Sequence, residues 1–179
     1  MILRKLFSRS GADPVAALYG QLVAQARQPG FYTACAVPDT VQGRFEMIAL
    51  HAFLVMRRLK TGGAADRLAQ DLFDLMFADM DRNLRELGTG DLGVAKRIKK
   101  LAKAFYGRIA AYEDGLGGAV AGRLEEALAR NAYEEVAAPS AAVALLADYL
   151  RRADAALAEQ GQAELAAGRV RFPAPPAAV

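Results

Sequence analysis

At 179 residues, 54% of them hydrophobic and 24% charged, the chain has the size and composition of one globular domain, which excludes a disordered chain and a disulfide scaffold. Cys35 is the only cysteine and His51 the only histidine. That excludes an internal disulfide, a CxxC site and most His-based metal clusters, and leaves little for His-dependent nucleophilic chemistry. The net charge of +3 is unevenly placed. Residues 66–91 hold seven acids (Asp66, Asp71, Asp74, Asp79, Asp81, Glu86, Asp91) against Arg67, Arg82 and Arg85, whereas residues 92–112 hold six bases and no acid. Such a pattern fits an anionic partner for one face, or a solvated basic helix beside an acidic neighbour.

Residues 1–12 form a basic N-terminal segment whose apolar runs, 1–3 and 6–7, are far shorter than the ~7–15 residues of a secretory signal core. Two readings stay open for it, a frayed terminus and a short amphipathic foot on an anionic membrane. An organelle-targeting start would have the same character, so the compartment stays open here too. A helical domain is expected over residues 13–172. Asp13-Pro14 is a helix opening, with Asp as N-cap and Pro at the first helical position. Val15, Leu18, Tyr19, Leu22, Val23 and Ala26 then recur at i, i+3/i+4 spacing, giving an amphipathic helix that ends before Pro29-Gly30. Residues 31–37 (FYTACAV) lean towards β by propensity but read as a packed connector, with Cys35 a small semi-buried residue.

The stretch that organises the chain is residues 44–60, RFEMIALHAFLVMRRLK, which carries no formal charge between Glu46 and Arg57. A helix apolar on nearly all sides is buried in a core or placed in a membrane. A span needs roughly 20 apolar residues, and this run closes much sooner on Arg57, Arg58 and Lys60. It is therefore expected to be a central helix from near Asp39-Thr40 to Lys60, stopped by Gly62-Gly63. A third helix over residues 65–87, closed by Gly88, carries the stripe Leu68, Leu72, Leu75, Met76, Met80, Leu84 and Leu87, broadened by Phe73 and Phe77. Asp91 or Thr89 caps a fourth over residues 92–112, with Val94, Ile98, Leu101, Phe105, Ile109 and Tyr112 inward and Lys96, Lys99, Lys100 and Lys103 together outward. Residues 113–118 (EDGLGG) read as a flexible break, followed by a weaker helix over 119–130. A long helix then runs from Pro139-Ser140 to residue 160, and a short one lies near 162–167. The Pro/Ala tail, residues 173–179, is too poor in apolar bulk to pack and is expected to be disordered. The fold class expected is all-α: a single compact domain of about six helices around a central apolar helix.

No catalytic or cofactor motif is present: no GxGxxG, P-loop, GxSxG or HExxH. Asp79 and Asp81 are two apart, so on a helix they diverge and cannot act as a pair, and Glu125-Glu126 and Glu134-Glu135 fall on surface or loop. No catalytic residue, metal ligand or cofactor is assigned. His51, with Met47 and Met56 nearby, raises haem ligation, but its apolar setting reads as a core histidine bonded to a buried partner. The docking candidates are Lys96, Arg97, Lys99, Lys100, Lys103 and Arg108, which suit RNA phosphates or anionic lipid heads. Aromatics do not alternate with these bases, since Phe105 is inward and only Tyr106 is outward, so sequence-specific nucleic-acid readout is not expected.

Five segments together resemble the ubiquinol–cytochrome c chaperone family: LHAFLVMRRLK (50–60), FADMDRNLRELG (77–88), KAFYGRIAAYEDGL (103–116), LADYLRRADAAL (146–157) and GRVRF (168–172). The resemblance runs from about residue 31 to residue 172 with order and spacing kept. Where the family's mitochondrial members favour Trp after the Leu-His pair, this chain has Ala52-Phe53. The resemblance implies a non-catalytic, all-α chaperone that binds newly made cytochrome b for assembly of the bc1 complex. It also implies, as open alternatives, contact with the ribosome surface or a small helper protein; the basic helix 92–112 on its own leaves open a module that binds the ribosome, RNA or an anionic membrane. A bacterial member would be cytoplasmic, peripheral at the inner face of the cytoplasmic membrane; a eukaryotic one would lie in the mitochondrial matrix.

Overall fold

The computed structural model describes residues 13–177 apart from 61–63, 87, 89, 134 and 135. The expectations for residues 1–12, for Gly62-Gly63, Leu87, Thr89 and Glu134-Glu135, and for the last two residues fall outside this set. Every described element is helical: α1 (Pro14–Ala26), α2 (Pro29–Thr33), α3 (Val41–Leu59), α4 (Ala64–Glu86), α5 (Asp91–Leu116), α6 (Arg123–Ala132), α7 (Ser140–Glu159) and α8 (Gln162–Ala166). Six are long, and α2 and α8 are five residues each. The expected connector at 31–37 thus begins with a helical turn. Pro29 supplies the fixed φ of a first helical position, and buried Phe31 pins the turn to the core.

The local chemistry starts α1 and α3 where the sequence suggests, whereas Asp91, expected as a cap, is the first residue of α5 behind an N-cap Gly90 that makes no side-chain bond, and α6 starts at Arg123 rather than at residue 119. The Asp13 carboxylate accepts the Val15 amide at 3.0 Å, and Pro14 opens α1. Thr40 caps α3 by accepting the Gly43 amide at 3.1 Å. Gly43 is obligatory there, because a Cβ would lie 1.9 Å from the Pro38 carbonyl oxygen. From Met47 to Met56 only Ile48 escapes full burial, so α3 has almost no solvent face. It packs on α1, α4, α6 and α7, and α5 bridges α4 and α6. At roughly 25 cal/mol per Å² of apolar surface removed from water, this helix is the main source of hydrophobic stabilisation.

The cationic end of α3 is pinned rather than solvated. Arg57 bonds Glu113 of α5 at 2.6 Å and Asp154 of α7 at 2.9 Å. Arg58 donates to the carbonyls of Leu157 and Gln160. Glu113 is therefore helical, and α5 continues to Leu116 through most of the stretch read as a break. Gly115 serves close packing, since a Cβ there would stand 2.7 Å from the Leu124 Cα. The chain turns only at residues 117–122, where Gly118 and Gly122 take positive φ, and α6 starts at Arg123.

Residues 168–177 close the space between α1 and α7. Gln21 donates to the Gly168 carbonyl and accepts the Val170 amide. Gln160 clasps both backbone groups of Arg171, and Gln25 donates to the Pro173 carbonyl. Pro176 is buried with its carbonyl against Gly30. Residues 173–177, read from the sequence as an unpacked tail, lie against α1 and α2, with Gln25 bound to the Pro173 carbonyl and buried Pro176 packed on Gly30.

Candidate docking face

α5 has two faces of opposite chemistry. Val94, Phe105 and Tyr112 are buried, with Ile98, Leu101 and Ile109 half-buried beside them. Lys96, Arg97, Lys99, Lys100 and Lys103 are all exposed and make no ion pair with a described residue. Most of the other described arginines are neutralised locally, as in Arg85 with Asp81 and Asp91, Arg151 with Glu125, and Arg171 with Glu164. Like charges three and four apart on one helix repel by a few tenths of a kcal/mol per pair. The ridge thus carries an uncompensated local penalty.

Arg108 does not belong to that ridge. It is 8% exposed and grips Glu46 of α3, Nε to Oε2 at 2.7 Å and a terminal nitrogen to Oε1 at 2.5 Å. Gln42 donates to the same Oε1 at 2.7 Å, and the Phe45 ring lies 5.9 Å from the guanidinium carbon. Its assignment to docking is therefore corrected. Arg108 lies three residues after Phe105 and four before Tyr112, on the inner side of α5. Glu46, within the otherwise apolar helix, was the signal that a buried cation had to come from somewhere.

Beside the ridge runs an open apolar trough of about 490 Å³ between α4, α5 and the end of α3. Met56, Ala69, Phe73, Phe105 and Ile109 are its apolar lining, and Lys60, Asp66, Gln70 and Tyr106 its polar lining. Phe73 packs against Phe77, Phe105 and Tyr106 at centroid distances of 4.6, 5.7 and 5.6 Å, so the aromatic wall is already assembled. Tyr106 is 59% exposed and stands in one row with Lys103 and Lys99, three and seven residues earlier. The sequence marked Tyr106 as outward but gave no sign of the trough, which needs three helices to exist.

His51 is fully buried, as its apolar setting implies. Nδ1 lies 2.7 Å from the Met47 carbonyl and Nε2 lies 2.8 Å from the Tyr149 hydroxyl. A carbonyl only accepts, so the network assigns the proton to Nδ1. Nε2 then accepts from Tyr149, whose oxygen accepts from Gln25 at 3.0 Å. Phe31 and Phe172 meet the imidazole edge-on at 5.3 and 5.1 Å. Burial disfavours the imidazolium and lowers the pKa to about 4. Both ring nitrogens are thus engaged by the protein itself. Cys35 is likewise buried, its thiol pushed up to about 11 by desolvation. Among the described residues, no group of three or more His, Cys, Asp and Glu side chains is placed to hold a metal.

The sequence model of the ubiquinol-cytochrome C chaperone family matches residues 33–172. The chain belongs to this family. The match takes in α3 to α8, and with them the basic ridge and the trough. The crystal structure of the Cbp3 homolog from Brucella abortus is similar throughout, with a TM-score of 0.82, 40% identity and 97% of each chain covered. Ubiquinol-cytochrome c reductase complex assembly factor 1 of mouse is 25% identical over 136 residues, covering 75% of this chain and 46% of the mouse protein. The human protein of the same name is 25% identical over 136 residues, covering 75% of this chain and 45% of its own length. The chain thus spans about half the length of these curated relatives.

Proposed function

We propose that the chain is a non-catalytic assembly chaperone of ubiquinol–cytochrome c reductase. Its client is newly made cytochrome b, and it docks through α5 on an anionic surface, the inner face of the membrane the client enters. Family membership supports the assembly role, together with the names of the mouse and human relatives. The observation that carries the docking is the row of five exposed, unpaired cations on α5. A Lys or Arg close to an anionic bilayer contributes about 1 kcal/mol, so the ridge suffices for reversible attachment. Among the described residues no helix is long and apolar enough to cross a membrane.

The assembly reading is tested in cells lacking the protein, by following b-type haem absorbance and cytochrome b antibody signal in membranes. Cytochrome c1 and an unrelated membrane complex serve as controls. Selective loss of cytochrome b, restored by the wild-type gene, is expected; normal and functional bc1 would refute the reading. Co-sedimentation with anionic and neutral vesicles tests the docking. Binding to ribosomes with a steep salt dependence, and none to vesicles, would transfer the ridge to ribosomal RNA.

A further inference from the structure

We infer that the trough between α4 and α5 is the seat of one amphipathic helix of a partner protein, whose apolar ridge fills the trough and whose carboxylates meet Lys99 and Lys103. That the partner is the membrane client rests on the function proposed above; the seat itself rests on shape, polarity and charge.

Shape decides between a bilayer and a polypeptide. A bilayer surface is flat on the scale of one helix and would leave the concave trough between α4 and α5 unfilled. The convex row of side chains at i, i+3/i+4 and i+7 of a helix matches it. Polarity agrees, because Phe73 and Ile109 line the trough with the buried Met56, Ala69 and Phe105 behind them, while Lys60, Asp66, Gln70 and Tyr106 are its polar lining, Lys60 and Asp66 offsetting each other in charge. The other exposed large apolar side chains, Val41, Val120, Val136 and Leu145, line no part of the trough. Charge supplies the orientation. Lys99 and Lys103 continue the Tyr106 row and have no partner within the described structure, so a helix seated here meets unpaired ammonium groups along one flank. Acidic residues on that flank would be matched, and basic ones repelled. Tyr106 belongs to both trough and ridge, and a half-exposed tyrosine against a preassembled aromatic wall is the kind of anchor that concentrates binding energy at low entropic cost.

The test places a photo-cross-linking amino acid at Gln70 or Tyr106, and as controls at Leu145 on α7 and Ala166 on α8, in cells making epitope-tagged cytochrome b. Adducts with cytochrome b from 70 and 106, and not from 145 or 166, are expected. Tyr106→Ala, which keeps the docking lysines, should cut the adduct from position 70 by about tenfold or more, with thermal unfolding unchanged. Adducts only from 145 or 166 would move the seat and overturn the inference while leaving the client reading intact. Lipid adducts alone from 70 and 106, with no protein adduct, would overturn it in favour of a bilayer. An adduct there with another, identified polypeptide carrying an acidic amphipathic helix supports the seat and removes cytochrome b as its occupant. No protein adduct at 70 or 106 overturns the seat, and the deletion phenotype of cytochrome b then decides the client reading separately.

Discussion

Arg108 of α5 holds Glu46 of α3 through two hydrogen bonds in the interior of the domain, at 2.7 and 2.5 Å. Removing one partner leaves the other charge buried without its counter-ion, which costs about 3–5 kcal/mol. Arg108→Ala or Glu46→Ala should therefore lower stability by that amount in urea unfolding. A double replacement, Glu46→Met with Arg108→Leu, should recover most of the loss, because well-packed apolar groups substitute for a buried pair at little net cost.

The ridge predicts the opposite balance. Replacing Lys96, Lys99, Lys100 and Lys103 by Glu should abolish co-sedimentation with anionic vesicles at low salt while leaving the far-UV spectrum and midpoint of unfolding near those of the parent. Replacing Arg108 should do the reverse, damaging stability first. Vesicle binding that survives the four replacements would remove the docking role.

His51 makes stability depend on pH in a defined window. Its folded pKa is lowered to about 4, so the unfolded state binds the proton more readily. The stability that comes from keeping the ring neutral is complete above the unfolded value of about 6.5. It falls as pH drops towards 4, by on the order of 3 kcal/mol. Urea titrations at pH 7.5, 6, 5 and 4.5 should show this decline. A His51→Gln variant, less stable at neutral pH through lost bonds to Met47 and Tyr149, should show a flatter profile.

Gly30 and Pro176 give a double-mutant test of the C-terminal segment. A Cβ at position 30 would lie 2.0 Å from the Pro176 carbonyl oxygen. Gly30→Ala should cost about 1–3 kcal/mol in the full chain, the usual range for overpacking. In a chain ended after Phe172 the obstructing atom is gone and the same substitution should cost little. Equal costs in both backgrounds would mean that residues 173–177 leave this position in solution.

Much of this was legible in the residues, and the misses share a cause. The uncharged run around Met47–Met56 announced the central helix because no charge opposes its burial, and the Lys row announced the ridge because it repeats at helical spacing. Arg108 was misplaced by counting charge along the chain instead of around the helix, where it falls beside Phe105 and Tyr112. Residues 173–177 lacked apolar bulk, but Gln25 binds their backbone, and a glutamine's partner cannot be read from its own position. Gly115 was read as flexibility when it marks contact with Leu124. The trough had no linear signature, being made of α3, α4 and α5 together.

The burial of α3 also has a consequence in time. Its cover comes from residues far along the chain: His51 meets Tyr149 across 98 positions and Arg57 meets Asp154 across 97. During synthesis the most buried helix leaves the ribosome well before α6 and α7, which help enclose it, and non-local contacts of this kind form slowly while exposing sticky surface. A protein proposed to shelter an unfinished membrane subunit thus passes through the same predicament itself. Its own yield in cells should be sensitive to growth temperature and to general chaperone supply before any client is involved.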